Sequence, residues 1–254
     1  MTPSTDTTHE LTPVADHRAW MPIALEAYRR LADAFAELDG ADWERPTPCA
    51  DWTVRDLAGH LVGAMRSAAR LREFASQQRE IRARVKRTGE NETDAMTAVQ
   101  VARAAPLTPA EVVAELRALR EPAVKGRARV PGLVRRAVRF PVEVGSIKER
   151  WNLDYLTGCI LTRDAWLHRI DLADALDVAP LLDDHDRVII GDAAAEWARR
   201  HGRPIHLSLT GPAGGRLVTG TGGEALVVDA VEFCRVLSGR RRHAHPLMSQ
   251  EVPF

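Results

Sequence analysis

Two polar side chains interrupt an otherwise apolar helical stripe in the middle of this chain, Asp164 and His168. They are four residues apart, so in a helix they stand one turn apart on one face. A carboxylate and an imidazole so placed can chelate one divalent metal, and helical bundles commonly build metal sites from such inward pairs. A third ligand must then come from a neighbouring helix. His60 is the candidate, because it lies on an apolar stripe three residues after Leu57 and four before Ala64. Spacing alone leaves a second reading open, in which Asp164 and His168 form an ion pair worth a few tenths of a kcal/mol and His60 is a core histidine. Asp171, three residues beyond His168, is placed either to orient its other ring nitrogen or to pair near the helix surface.

The elements that must position these groups are mostly helices. Trp20, Ile23, Ala27, Leu31, Ala34 and Leu38 recur at helical spacing and predict a first helix over 13–39. Residues 40–53, with Pro46, Pro48 and two tryptophans, read as a structured loop. Thr53 and Asp56 form a capping-box pattern that opens a second helix, predicted to run to Arg87 with Gly89 as its stop. A short helix over 93–104 follows. Thr108, Pro109 and Glu111 then start another, predicted to end near Pro122. The stretch 123–144 carries Arg127, Arg129, Arg135, Arg136 and Arg139 and reads as a solvated loop with one turn of helix. A long helix over 147–177 bears Asp164 and His168.

After Pro180 the pattern changes. Asp183 or Asp184 caps a helix over 185–201, Ile205–Leu209 alternates like a strand, Arg216–Thr219 is its hairpin partner and Ala225–Val228 is a third strand. Asp229 starts a last helix to Leu237. The glycines of 211–223 read as turns, since they lack the GxGxxG order of a dinucleotide site. The expected architecture is α+β: a four-helix bundle over 13–180 and a small α/β domain over 181–254.

Three stretches carry a family resemblance. They are Trp43 with Pro46-Thr47-Pro48-Cys49-Ala50-Asp51-Trp52-Thr53-Val54-Arg55-Asp56-Leu57-Ala58-Gly59-His60-Leu61, then Arg163-Asp164-Ala165-Trp166-Leu167-His168-Arg169-Ile170-Asp171, and Val228-Asp229-Ala230-Val231-Glu232-Phe233-Cys234-Arg235-Val236-Leu237-Ser238-Gly239-Arg240. Together they resemble the mycothiol-dependent maleylpyruvate isomerase family, from about residue 13 to the end of the chain. The resemblance implies a DinB-like metal-binding bundle followed by a small sterol-carrier-like domain. It assigns the metal to His60, Asp164 and His168, with Asp164 standing where the characterised isomerase has Glu.

It also implies a divalent metal, zinc first although two histidines and an aspartate also accept nickel, iron or manganese, and mycothiol as the thiol cofactor or co-substrate. Three protein ligands leave one position open on a tetrahedral ion, and a thiol bound there is deprotonated at neutral pH. In an isomerase the thiolate adds to a cis double bond, the adduct rotates and elimination gives the trans isomer. In an S-transferase the thiolate stays attached to its electrophile. Arg235 is implied as a catalytic residue facing the metal cleft, where its guanidinium suits an anionic substrate. The other readings are a metal-dependent hydrolase with a metal-activated water, and a non-catalytic, metal-stabilised protein that binds a small ligand.

Composition excludes several other classes. Of the 254 residues, Lys and Arg number 35 and Asp and Glu 35, for a net charge of zero, which speaks against a nucleic-acid binder. No apolar run is long enough to span a membrane. The polar start, Met1 to Thr12, lacks the pattern of a signal peptide. Cys49, Cys159 and Cys234 are too few and too scattered for a disulfide framework. These features predict a cytoplasmic protein without nucleic-acid or membrane partners, and the resemblance implies a small anionic or electrophilic molecule as its substrate.

Overall fold

A computed structural model describes residues 9–49, 51–144 and 146–254. Most of the polar start, Met1 to Thr8, and Ala50 of the first family stretch lie outside the described residues. The chain divides into two compact units, one of Asp16–Pro180 and one that joins Leu181–Phe254 to the segment ending at Ala15. The first is helical with one small hairpin, and the second carries a three-stranded sheet.

In the helical unit, α1 (His17–Ala36) starts at an Asp16 cap whose side chain accepts from the Ala19 N–H. After a short 3-10 turn at Asp42–Glu44, α2 (Val54–Ala69) opens with the Thr53–Asp56 capping box. The sequence predicts one helix from here to Arg87, but the structure breaks it at Arg70, which is extended, and α3 (Leu71–Thr88) restarts after it. The break has no proline or glycine. It falls where Gly126 of the facing helix lies so close that a Cβ there would meet the Ala68 carbonyl oxygen at 1.9 Å. Helix α3 ends at Gly89 in the left-handed conformation, φ 76°.

Helix α4 (Glu92–Ala104) and α5 (Pro109–Arg129) follow, α5 opening with the Thr108–Glu111 capping box. The predicted stop at Pro122 does not occur, and α5 runs on to Arg129. Proline removes one hydrogen bond of the helix, while Ala123, Val124 and Arg127 beyond it are buried. Arg127 is 2% exposed, so it is a core residue and not part of a solvated loop. Its guanidinium donates to the carbonyls of Thr157 and Gly158 at 2.6 and 2.9 Å, to the Thr162 hydroxyl and to the Tyr28 hydroxyl.

The rest of the expected loop is also ordered, as α6 (Gly132–Ala137) and β1 (Arg139–Val144). β1 pairs antiparallel with β2 (Ile147–Asn152), which replaces the start of the expected helix over 147–177. The reason is a period of two: Phe140, Val142 and Val144 register against Trp151, Glu149 and Ile147, and this face is the less exposed one. Helix follows as α7 (Leu153–Tyr155), a π-helical turn at Leu156–Ile160, and α8 (Leu161–Ala175). Two carbonyls of this turn, those of Thr157 and Gly158, accept from Arg127, and the second accepts from the Thr162 hydroxyl as well. One buried apolar cluster draws Tyr28, Leu31 and Phe35 from α1, Leu57, Leu61 and Met65 from α2, Leu116 and Leu119 from α5, and Ala165 and Leu172 from α8. A second, smaller one joins Ile81 of α3 to Ala95 and Val99 of α4.

In the second unit, α9 (Asp184–His201) is capped by Asp183 and ends at Gly202, φ 64°. The sheet runs β4-β3-β5 (β3, Ile205–Thr210; β4, Gly215–Thr219; β5, Glu224–Asp229), with β3 antiparallel to β4 and parallel to β5. Alternate residues Ile205, Leu207 and Leu209 are buried. The N-terminal segment hydrogen-bonds to β4, with the Leu11 N–H on the Arg216 carbonyl at 2.7 Å. Asp229 caps α10 (Ala230–Leu237). Among the described residues, no helix is long and apolar enough to cross a membrane.

Candidate metal centre

His60 lies on α2 between Leu57 and Leu61, and the packing of those leucines turns it inward. On α8 the same logic applies to Asp164 and His168, flanked by buried Ala165, Leu167 and Leu172. The structure brings the three together: His168 Nε2 is 3.3 Å and His60 Nε2 3.6 Å from Asp164 Oδ1. One ligand atom from each lies within 4.8 Å of the other two. The two imidazole rings stand nearly perpendicular, 81°, with centroids 5.2 Å apart.

The outer nitrogen of each ring is already engaged. His168 Nδ1 lies 2.8 Å from Asp171 Oδ2, and His60 Nδ1 lies 2.8 Å from Gln100 Oε1. Of the two placements that the sequence allows for Asp171, the structure shows the one that orients His168. An acceptor beside each Nδ1 holds a ring proton there and turns both Nε2 atoms toward Asp164, where they can bind a metal that displaces the second proton of His168. For a tetrahedral ion with bonds of about 2.0–2.1 Å, neighbouring donor atoms stand about 3.3 Å apart. The observed separations from Asp164, and a donor set of two imidazoles and one carboxylate, fit such an ion.

Electrostatics agree with that geometry. Burial alone would raise the Asp164 carboxyl, but the charge of His168 beside it, and of His60 to a lesser degree, holds it well below the usual carboxylate range. Burial alone would lower His168, but Asp164, Asp171 and Cys49 together raise it well above the ordinary imidazole value. Without a metal, the site is a buried ion pair in which a proton on His168 takes the place of the cation.

The loop before α2 closes one side. Thr47 holds it, its N–H donating to the Trp52 carbonyl at 2.9 Å and its hydroxyl to the Cys49 and Trp52 carbonyls. Asp51 takes the left-handed conformation, φ 64°, and the chain then places the Trp52 ring 5.3 Å from His60 and 6.2 Å from His168. The Cys49 thiol donates to Asp171 Oδ2 at 3.4 Å, so this cysteine both packs in the loop and reaches the back of the site. Cys49, His168 and Asp171 are close enough to form a ligand group of their own. That group uses Nδ1 of His168, which faces away from Asp164.

Gln100 escaped the sequence reading. It is 3% exposed and sits on α4 beside Val99, where a lone amide in a short helix has no motif to mark it. Gly63 is what lets it approach: a Cβ there would meet Gln100 Cβ at 2.5 Å. Arg235 lies in the other unit, partly buried on α10, where its carbonyl accepts from the Arg240 N–H at 2.9 Å.

Residues 24–173, which span the loop, the three candidate ligands and Gln100, match the model of the mycothiol maleylpyruvate isomerase N-terminal domain. The chain belongs to that family. Two solved structures, a mycothiol-dependent maleylpyruvate isomerase and a histidine mutant of that enzyme, share its fold. Each has a TM-score of 0.52 and 14% identity, over 89% of this chain and 90% of the other. Among curated protein sequences none matches this chain.

Proposed function

We propose that this protein is a divalent-metal enzyme that uses mycothiol in the addition of a thiol to a small electrophile, as an isomerase or an S-transferase. The observation that carries the reading is the convergence of His60 Nε2, Asp164 Oδ1 and His168 Nε2, with the outer nitrogen of each ring already hydrogen-bonded. Family membership supports the thiol. The helical unit is read as a DinB-like four-helix bundle over 13–180, and 181–254 as a sterol-carrier-like domain.

His60, Asp164 and His168 would hold the metal, with zinc as the ion that suits two imidazoles and a carboxylate. Zinc and mycothiol together would supply a thiolate at neutral pH. Asp171 and Gln100 keep the Nδ1 protons of the two histidines in place, so both rings present Nε2. Trp52 covers one side of the pair with an apolar surface, which limits water there. Arg235 is assigned the carboxylate of an anionic substrate, which its planar guanidinium can grip with two hydrogen bonds.

The test is metal content of the purified protein beside its His168→Ala variant, followed by cobalt substitution and addition of mycothiol. One metal per chain, lost in the variant, and a cobalt–thiolate band on adding mycothiol are expected. Metal without the band would overturn the thiol chemistry and favour a hydrolase or a structural ion. A folded protein that takes up no divalent cation would overturn the metal site.

A further inference from the structure

Behind His60 lies a file of buried amides. Gln100 is 3% and Gln77 1% exposed. Gln100 Oε1 lies 2.8 Å from His60 Nδ1, and Gln100 Nε2 lies 3.4 Å from Gln77 Oε1. Gln77 Nε2 donates to the Gly63 carbonyl and to Glu73 Oε1, each at 3.0 Å. Glu73 in turn accepts from Arg103 at 2.7 Å.

The far end of the file sets the direction of every bond in it. The Gly63 carbonyl can only accept, and so can an ionised Glu73. Burial would raise the Glu73 carboxyl, but the Gln77 amide and the Arg103 guanidinium hold it below the usual carboxylate range. The NH2 of Gln77 must therefore face these two acceptors. Its oxygen then faces Gln100 and requires the Gln100 NH2 on that side. That leaves the Gln100 oxygen toward His60, so His60 Nδ1 must be the donor. Turning either amide around would set oxygen against oxygen in a dry interior, at roughly 1–3 kcal/mol for each group left unsatisfied.

We propose that Gln100, locked in one orientation by Gln77, is a positioning residue that fixes His60 with its proton on Nδ1 and its Nε2 lone pair toward Asp164 and His168. The metal-ligating consequence rests on the metal reading above; the tautomer does not. His60 is thus prepared by three helices: it stands on α2, its acceptor on α4, and the residue that orients the acceptor on α3. Asp171 serves His168 with a charge, whereas this file serves His60 with a neutral amide and keeps the carboxylate of Glu73 two residues removed.

Two readouts test this separately. Nitrogen-15 NMR of the histidine rings in the metal-free protein, at about pH 8 and so above the ordinary imidazole range, reports which nitrogen carries the His60 proton. Competition with a chelator reports zinc affinity. The wild type is expected to show the proton on Nδ1. Gln100→Leu is expected to move it to Nε2, where Asp164 can accept it, and to weaken zinc binding ten- to a hundredfold. Gln100→Glu, which keeps an acceptor, should keep the proton on Nδ1.

A Gln100→Leu protein with its proton still on Nδ1 and its zinc affinity within twofold of wild type would overturn the proposal and leave the metal reading standing. Zinc binding that survives His60→Ala would instead overturn the metal reading, and the tautomer measurement would still decide the role of Gln100. If Gln100→Leu does not fold, Gln77→Met decides on the same readouts, since it frees the Gln100 amide to turn without touching His60. Loss of the fixed tautomer supports the file, and an unchanged tautomer overturns it.

Discussion

Asp171 Oδ2 accepts twice, from His168 Nδ1 at 2.8 Å and from the Cys49 thiol at 3.4 Å. One carboxylate thereby ties the loop before α2 to the helix that carries two of the three candidate ligands. It is 1% exposed, so both bonds are made in the interior. Asp171→Ala is expected to weaken zinc binding ten- to a hundredfold, while Asp171→Asn, which still offers an oxygen, should recover part of the loss. Zinc competition on the two variants checks this, and an Asp171→Ala protein that binds as tightly as wild type would remove the residue from the site.

Gly63 carries the next prediction. It follows His60 by three residues on α2, and the space its side chain would fill is occupied by Gln100, with a Cβ-to-Cβ distance of 2.5 Å. Gly63→Ala must push α4 outward. Overpacking of this kind costs about 1–3 kcal/mol, and it draws the Gln100 oxygen away from His60. The variant should melt earlier and bind zinc more weakly. A variant with unchanged melting would show that α4 yields freely at this point.

Arg127 governs the π-helical turn that leads into α8. Arg127→Leu removes the side-chain donor to the Thr157 carbonyl and one of two side-chain donors to the Gly158 carbonyl, the Thr162 hydroxyl being the other, at roughly 1–3 kcal/mol for a group left unsatisfied. The melting temperature of the variant should fall clearly. Because Asp164 begins one turn beyond the π-helical segment, zinc affinity should fall with it. Stability and affinity both equal to wild type would mean that the turn holds its shape without the guanidinium.

What could be read from sequence was local chemistry. The capping boxes at Thr53–Asp56 and Thr108–Glu111 and the stop at Gly89 stand where their residue types put them, because a cap is decided within four residues. The break at Arg70, the passage of α5 through Pro122 and the hairpin of 139–152 were not legible. Each is set by a partner distant in sequence: Gly126 against Ala68, the carbonyls that draw Arg127 inward, and Phe140 opposite Trp151. The same holds within the site. The spacing of Asp164 and His168, with His60 on a second apolar stripe, pointed to one cluster, whereas Gln77 and Gln100 acquire meaning only when α3 and α4 fold against α2.

Proton linkage gives the last prediction. His168 is raised well above 6.5 in the folded, metal-free protein. Its contribution to stability is therefore fully present below about 6.5 and is lost as the pH rises through the raised value. Asp164 is held below 3.8, so its contribution is present above 3.8 and is lost as the pH falls through the lowered value. Between those limits the empty site is a stable ion pair, and a metal must displace the proton on His168 to bind. Zinc affinity should accordingly rise with pH, by about tenfold per unit while one proton is released. It should level off once His168 has lost its proton. Calorimetry of zinc binding near neutral pH, in buffers of different ionisation enthalpy, counts the protons directly. About one proton per zinc is expected for the wild type, and no proton release would mean that His168 does not bind the ion.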